Sequence, residues 1–143
     1  MITLRYTVDE ASLLQVKKYI CKVSNDFNPP FIEEVKDLDM YLDKICSKAK
    51  RFEVWVDNIL IGLMFAYLNE ELSQIYIPFI SVDRDYRKRG IARALLDQLK
   101  FFKGYSFIRL EVIKNNEALF FYRKYGFVIE ENRNNKYLMK YSI

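Results

Sequence analysis

The segment from residue 81 to residue 99, SVDRDYRKRGIARALLDQL, constrains the fold more than any other part of the chain. An apolar strand pattern ends at Val82, residues 84–89 carry four basic side chains, and a helical pattern follows Gly90. The first turn of a helix has unpaired N–H groups and the positive end of the helix dipole, which attract anions. A glycine there lets a ligand approach the backbone because it has no Cβ atom. The segment therefore predicts a strand followed by a phosphate-binding helix.

The residues around Gly90 suit an anionic ligand. Arg87, Lys88 and Arg89 place positive charge beside the glycine, and Ala92 keeps a second point of the backbone accessible. On this spacing alone, a solvated basic loop and a nucleic-acid surface are the alternatives. The nucleic-acid alternative is the weaker one, because such a surface should show interleaved aromatic residues or a longer basic stripe, and Asp83 and Asp85 dilute the positive charge here.

Strand and helix patterns alternate along the rest of the chain. Their order is βααβββαβαββ, and no linker, repeat or low-complexity segment interrupts it. We therefore expect one α/β domain over residues 1–143 with a mixed sheet. The main predicted elements are a first strand over residues 2–8 and a first helix that ends near residue 21. Further helices are predicted over about 32–48, 90–103 and 115–126, and hairpin turns at 57–58 and 133–135.

Capping residues set several of these boundaries. Thr7 and Glu10 match a capping box for the first helix, with Asp9 as a rival cap. An asparagine at 115 or 116 caps the last helix, and Gly126 ends it. In the second helix, the residues expected to face inward are Ile32, Val35, Leu38, Leu42 and Ile45.

The composition excludes several kinds of chemistry. The chain has no histidine, so it cannot build a Ser-His-Asp triad, a Cys-His nucleophile or a histidine-based zinc site. Its two cysteines, Cys21 and Cys46, cannot form a four-cysteine site.

No apolar signal segment opens the chain, and the longest apolar run, residues 59–68, is too short to cross a membrane. We expect a cytoplasmic protein with no metal and no membrane partner.

Two motifs resemble those of the GNAT superfamily of N-acetyltransferases. RKRGIA, residues 87–92, is similar to the R/Q-x-x-G-x-G/A motif, and NNEALFFYRKYGF, residues 115–127, is similar to N-x-x-A-x-x-x-Y-x-K-x-G-F. The element order over almost the whole chain also agrees with that family. The resemblance implies a single-domain α/β (α+β) fold with a mixed, mostly antiparallel seven-stranded sheet. It also implies four flanking helices and a splay between strands four and five.

The resemblance further implies acetyl-CoA as the co-substrate. Its pyrophosphate would lie on the backbone N–H groups of the glycine motif, and its pantetheine arm would pair with the end of strand four. Asn115 would contact it as well as, or instead of, capping the last helix. The cofactor-binding residues implied in this way are Ile80, Ser81, Val82, Arg87, Lys88, Arg89, Gly90, Ile91, Ala92 and Asn115.

Pro78 lies in the middle of the predicted fourth strand. A proline removes a ladder hydrogen bond from a central strand, but it is tolerated at a bulge. We therefore predict a bulge around Pro78 and Phe79 that opens the gap for the pantetheine arm. A distortion without functional consequence is the alternative.

Tyr122 matches the tyrosine that protonates the leaving thiolate in the family. Its spacing on the last helix, taken alone, favours a core position, whereas the motif match favours the catalytic role. The backbone N–H of Val82 is the expected donor to an oxyanion. The strand-four glutamate of the histone-acetyltransferase branch is replaced by Tyr76, and Glu111 and Glu53 are alternative bases that are each compatible with a structural role. We assign no general base.

The resemblance also implies a primary amine of a small molecule or a peptide as the acceptor, on the side built by the first two helices and the loop between them. That loop carries the acidic and aromatic residues Asp26, Phe27, Phe31, Glu33 and Glu34, which would suit a cationic amine. A catalytically inactive CoA-binding domain, acting as a sensor or an interaction module, is the alternative function. No nucleic-acid partner is expected, and the closing hairpin offers an edge for a homodimer.

Overall fold

The computed structural model describes residues 2–27 and 29–143 and has one seven-stranded sheet with the order β1-β2-β3-β4-β5-β7-β6. Neighbouring strands are antiparallel except β4 and β5, so the prediction of a mixed, mostly antiparallel sheet is confirmed. The strands are β1 (Leu4–Val8), β2 (Lys50–Val56), β3 (Ile59–Asn69), β4 (Gln74–Val82), β5 (Phe107–Ile113), β6 (Val128–Arg133) and β7 (Lys136–Ser142). The α-helices are α1 (Leu13–Val23), α2 (Phe31–Glu34), α3 (Leu38–Lys48), α4 (Ile91–Leu99) and α5 (Ala118–Tyr125).

The first helix begins later than its predicted capping box. Ser12 is the cap, and its side chain accepts a hydrogen bond from the backbone N–H of Gln15 at 3.1 Å. The Gln15 side chain accepts the reciprocal bond from Ser12 at 2.9 Å. Thr7 is still in β1, where it pairs with Glu53 of β2, and Asp9 turns the chain with a φ of 57°. The prediction at Thr7 and Glu10 was wrong because the strand continues through the candidate cap.

The predicted second helix is two helices. Lys36 has a φ of 45°, which interrupts the helix, and Asp37 caps α3 by accepting a hydrogen bond from the N–H of Met40 at 3.1 Å. Ile32 is exposed, whereas Leu42 and Ile45 are buried as predicted. Helix α4 also ends earlier than predicted, at Leu99. No helix within residues 2–27 and 29–143 is both long enough and apolar enough to span a bilayer.

Two apolar cores lie on opposite faces of the sheet. Helices α4 and α5 cover one face through residues such as Leu95 and Tyr125, and helices α1 and α3 cover the other through residues such as Val16 and Ile45. Strand β3 lies between them and is buried on both faces along most of its length. This double burial explains its nearly continuous apolar sequence.

The predicted bulge in β4 is confirmed. Phe79 pairs with Phe65 and Tyr76 pairs with Tyr67, so Ile77 and Pro78 of β4 lie opposite the single residue between the two β3 partners. A bulge turns the following side chains to the other face of the sheet. Ile77 therefore packs in the core under α4 and α5, whereas Phe79 packs in the core under α1 and α3.

The bulge also marks the point where β4 leaves β5. The parallel pairing joins residues 74–76 of β4 to residues 107–109 of β5 and does not continue beyond Tyr76. The rest of β4 therefore runs toward α4 without pairing to β5, in agreement with the expected splay between these strands. This separation positions the site described below.

Candidate active site

The first turn of α4 has the geometry that the sequence predicted. Gly90 is the N-cap residue with a φ of 77°, a left-handed conformation that L side chains rarely adopt. No side chain caps the helix, and a Cβ atom at Gly90 would meet no atom within 4 Å. The first N–H groups of α4 therefore face open space, with the positive end of the helix dipole behind them.

A cavity of about 480 Å³, which we call the cofactor cavity, opens in front of this helix end. It lies between the end of β4, residues 83–90 (the phosphate loop), and the first turns of α4 and α5. Most of the predicted cofactor-binding residues line it, namely Ile80, Ser81, Val82, Arg87, Lys88, Gly90, Ile91 and Ala92.

Two predicted cofactor-binding residues are not part of this wall. The Arg89 guanidinium lies over the ring of Tyr86, 5.5 Å from its centroid. Asn115 does not line the cavity, whereas Asn116 does. The Asn116 side chain also accepts a hydrogen bond from the N–H of Ala118 at 2.8 Å, so it binds a first-turn N–H of α5 from the position just before the N-cap residue Glu117. Sequence reasoning had offered Asn116 only as the alternative cap.

A second cavity of about 350 Å³, the acceptor cavity, passes between β4 and β5 where the two strands separate. Residues 77–80 of β4 and residues 110–113 of β5 form its sides. The loop after α1 and helix α2 contribute Phe27, Pro29, Phe31, Glu34 and Val35. The residues that line both cavities are Phe27, Ile80, Asn116, Ala118 and Tyr122.

Tyr122 thus lies where the two cavities meet. Its ring packs against Phe121 and Phe127, with centroid distances of 5.4 and 5.6 Å, and only 8% of the residue is exposed. Burial raises the pKa of the Tyr122 phenol well above its usual value of 10.0, because a buried phenolate would lose its hydration. Tyr122 therefore keeps its proton at physiological pH, so its hydroxyl can donate a hydrogen bond to a group that develops negative charge beside it.

Of the two candidate bases, Glu53 and Glu111, only Glu111 lines a cavity. Glu53 is fully buried at the β1–β2 pair and lines neither cavity. Its carboxylate accepts hydrogen bonds from the Thr7 hydroxyl at 2.5 Å and from the N–H groups of Glu10 and Ala11 at 3.0 and 2.7 Å. Glu53 therefore organises the turn that leads into α1.

Glu111 does line the acceptor cavity. Its carboxylate accepts hydrogen bonds from the hydroxyl of Tyr76 at 3.5 Å and from Arg133 at 3.3 Å. Burial, followed by the negative charge of Glu111, raises the pKa of Tyr76. Tyr76, which stands where the strand-four glutamate was expected, is therefore hydrogen-bonded to Glu111 on the neighbouring strand β5.

Replacing Glu53 with glutamine should destabilise the fold without removing a catalytic group. In the glutamine side chain an NH₂ group replaces one carboxylate oxygen, so one buried donor would lose its acceptor. We therefore expect a loss of about 2–3 kcal/mol in the free energy of unfolding. Urea unfolding measures this loss, with the exposed Glu71→Gln as the control. A large fall in kcat of fully folded Glu53→Gln protein would instead show a catalytic role.

Sequence reasoning missed several contacts that shape the site. The hydroxyl of Tyr19 on α1 donates a hydrogen bond at 3.1 Å to Ser81, which lies 62 positions away in the chain. Asp26, in the loop after α1, lines the cofactor cavity and pairs with Arg84 and Arg87 of the phosphate loop. No local pattern could reveal these pairs, because each depends on how distant segments meet.

No metal centre is apparent in the part of the chain that the structure describes. Its His, Cys, Asp and Glu side chains include no group of three or more that could hold an ion.

Comparison with known proteins identifies the family. A family model described as an acetyltransferase (GNAT) domain matches residues 50–129, which is more than half of the 143 residues. The chain belongs to the GNAT acetyltransferase family. The matched region contains the whole glycine motif and Tyr122, whereas the α1–α3 region that completes the acceptor cavity lies before it. A comparison with the sequences of characterised proteins gave no significant match.

Solved structures share the GNAT fold over nearly the whole chain. The ribosomal-protein-S18-alanine N-acetyltransferase from Escherichia coli is 20% identical, with a TM-score of 0.74 and coverage of 97% of this chain and 94% of that one. The PaiA N-acetyltransferase from Thermoplasma acidophilum in complex with coenzyme A is 16% identical, with a TM-score of 0.72 and coverage of 97% and 99%. Arabidopsis thaliana NAA60 in complex with a bisubstrate analogue is 19% identical, with a TM-score of 0.73 and coverage of 99% and 98%.

At these identities the likeness establishes the fold alone. For this GNAT chain, the roles of individual residues therefore rest on the geometry of its own two cavities.

Proposed function

We propose that this GNAT chain transfers the acetyl group of acetyl-CoA to a primary amine of a small molecule or a peptide, by direct attack of the amine on the thioester. The observation that carries this proposal is the meeting of two cavities at Tyr122, one of which begins at the uncapped end of α4. A donor and an acceptor can therefore enter from different sides and meet beside a buried phenol.

The cofactor cavity fits the phosphate end of acetyl-CoA. The open space in front of Gly90 and the free N–H groups of the first turn of α4 suit a diphosphate. Arg87 and Lys88 line the same cavity and add positive charge. The coenzyme A bound to the related PaiA structure supports this assignment. When bound, acetyl-CoA supplies the activated acetyl group.

Strand β4 fits the extended arm of the same molecule. Beyond Tyr76, β4 is not paired with β5, so its backbone groups on that side are available to an extended ligand, except the Val82 carbonyl, which accepts a hydrogen bond from Arg87. Ile80, Ser81 and Val82 line the cofactor cavity along this stretch. A ligand that pairs with the strand edge would be held as an added strand would be, through main-chain hydrogen bonds.

The acceptor cavity suits an amine attached to an apolar group. The rings of Phe27, Phe31 and Phe79 pack together with centroid distances of 5.1–5.7 Å, and Phe27 with Phe31 forms part of the cavity wall. Glu34 adds a carboxylate to the same wall, whereas the Glu111 carboxylate is paired with Arg133 and Lys136 adds a positive charge. Glu34 favours approach of a protonated amine, which must release one proton to water before it attacks, and the rings accommodate its apolar substituent. The bisubstrate analogue bound to NAA60 supports a shared donor and acceptor site.

Tyr122 supplies the proton that the leaving thiolate requires. Full transfer to a thiolate in water would be uphill by about 2 kcal/mol, given ordinary pKa values of about 10 for a phenol and 8.5 for a thiol. Burial raises the pKa of Tyr122 further, so complete transfer would cost more than this in the site. A hydrogen bond that strengthens as negative charge develops on the sulfur avoids most of this cost. We assign no general base, since Glu53 lies outside both cavities and Glu111 is already bound by Arg133 and Tyr76.

Binding and turnover are tested separately. Calorimetry should show one acetyl-CoA molecule bound per chain, and a thiol-release assay should then identify acceptors in a panel of small amines and peptides with free N-termini. We expect amines with an apolar substituent to be acetylated faster than strongly polar ones. The matched controls are N-acetylated peptides and N,N-dimethylated amines, which should release no thiol. Acetyl-CoA binding without thiol release from any amine would support a non-catalytic CoA-binding domain.

Two further expectations accompany this function. The cytoplasm is the proposed location, where the two free thiols, Cys21 and Cys46, would remain reduced. A homodimer formed through the closing hairpin of β6 and β7 stays a prediction, and sedimentation analysis of the purified chain would test it.

A further inference from the structure

The carboxylate of Asp26 connects the two sides of the site. Its Oδ1 accepts a hydrogen bond from Arg84 Nη2 at 3.0 Å, and its Oδ2 accepts one from Arg87 Nη2 at 2.9 Å. The side chain is only 15% exposed. Asp26 ends the short 3₁₀ helix Ser24–Asp26 after α1, whereas both arginines belong to the phosphate loop. These ion pairs therefore connect the segment after α1, which leads into the acceptor cavity wall, with the phosphate loop of the cofactor cavity.

Asp26 lies where an anionic ligand is expected. It lines the cofactor cavity together with Arg87 and Gly90. A carboxylate in this cavity would repel a bound diphosphate, and the two anions would require the same guanidinium. Arg87 also donates a hydrogen bond from Nε to the carbonyl oxygen of Val82 at 3.1 Å, which keeps its guanidinium at the end of β4.

Asp26 is also adjacent in the chain to a residue of the acceptor wall. The next residue, Phe27, lines both cavities. Its ring lies 5.4 Å from the ring of Phe79 and 5.7 Å from that of Phe31. A change at Asp26 would therefore displace an aromatic side chain that the acceptor contacts.

We propose that Asp26 is a positioning residue with opposite effects on the two substrates. It competes with the diphosphate of the cofactor for Arg87, and it holds Phe27 in the acceptor wall through Arg84 and Arg87. This inference rests on the proposed function. Cofactor binding weakens the Asp26–Arg87 pair, and Arg84 then holds the acceptor side in place.

Asp26→Asn tests both effects. We expect calorimetry to show that coenzyme A binds about threefold to tenfold more tightly, because a repulsive and competing charge is gone. The KM of the best acceptor amine should rise by about the same factor with kcat retained. Asp43→Asn is the matched control, since it removes the same charge at an exposed position on α3, outside the phosphate loop and both cavities. It should leave both constants unchanged.

A second variant tests the Asp26–Arg84 ion pair without altering the cofactor cavity. Arg84 is 75% exposed and lines neither cavity, so Arg84→Gln should fold normally. Its acceptor KM should rise while kcat is retained. Unchanged or weaker coenzyme A binding in Asp26→Asn, or an unchanged acceptor KM in Arg84→Gln, would overturn the inference. If the unaltered chain itself failed to bind coenzyme A, the proposed function would be wrong instead.

Discussion

Replacing Tyr122 with phenylalanine is expected to lower kcat by about 100-fold, which is typical of the loss of a general acid. The affinity for coenzyme A should remain nearly unchanged, because the ring still fills the space between Phe121 and Phe127. Only the proton donor at the junction of the two cavities is removed. Steady-state thiol release measures the change in kcat, and calorimetry measures the affinity.

The matched control is Tyr125→Phe on the same helix. Tyr125 donates a hydrogen bond to Asp97 at 2.7 Å and lines neither cavity, so its loss should affect stability and leave kcat unchanged. If Tyr122→Phe kept full kcat, the phenol would have no part in the mechanism. A packing defect alone would instead lower the fraction of folded protein, which circular dichroism would detect.

The pH dependence offers a second test of Tyr122. Because burial raises its pKa above the ordinary 10.0, the donor stays protonated in the folded protein as the pH rises from 7 to 10. We therefore expect no loss of kcat over that range that depends on Tyr122. A decline in kcat near pH 9 that disappeared in Tyr122→Phe would contradict this expectation.

Replacing Gly90 with aspartate is expected to weaken coenzyme A binding by about 100-fold. The new carboxylate would project from the N-cap of α4 into the cofactor cavity, where a Cβ meets no protein atom within 4 Å. A like charge about 4 Å from the diphosphate opposes binding by several kcal/mol in a partly shielded site, and 1.4 kcal/mol corresponds to a factor of ten. Calorimetry with coenzyme A measures the effect.

Two controls separate charge from backbone strain. Gly90→Asn has nearly the same shape without the charge, and asparagine tolerates a positive φ about as well as aspartate. It should therefore lose only a small part of the affinity. Gly104→Asp makes the identical change at another open glycine, which has a φ of 92° and lies outside both cavities. Equal losses at Gly90 and Gly104 would show that the α4 terminus does not bind the diphosphate.

The cofactor side of the site was largely predictable because its signals are local. A glycine at a helix start, small residues after it and a strand before it act through the conformation of neighbouring residues. Pro78 likewise predicted a bulge, since the missing N–H is a property of that residue alone. The structure found both features within one residue of the expected positions.

The helix boundaries before β2 were less predictable. Thr7 and Ser12 both offer a hydroxyl for a cap, but the Thr7 hydroxyl donates to Glu53 of β2, and Ser12 caps α1. The apolar spacing over residues 32–48 continues across Lys36, although the backbone there interrupts the helix. Periodicity reports which side chains are apolar, but not where the backbone changes direction.

By itself, the sequence determined the order of the elements apart from the division between α2 and α3, the helix that begins at a glycine, the phenol on the last helix and the absence of histidine chemistry. Only the tertiary structure decided that Glu111 lines the acceptor cavity while Glu53 does not, and that Asp26 lies against Arg84 and Arg87. The physical reason is that helix caps and strand breaks depend on adjacent residues. Contacts between cavity walls depend instead on strand register, and one extra residue at a bulge turns every following side chain to the opposite face.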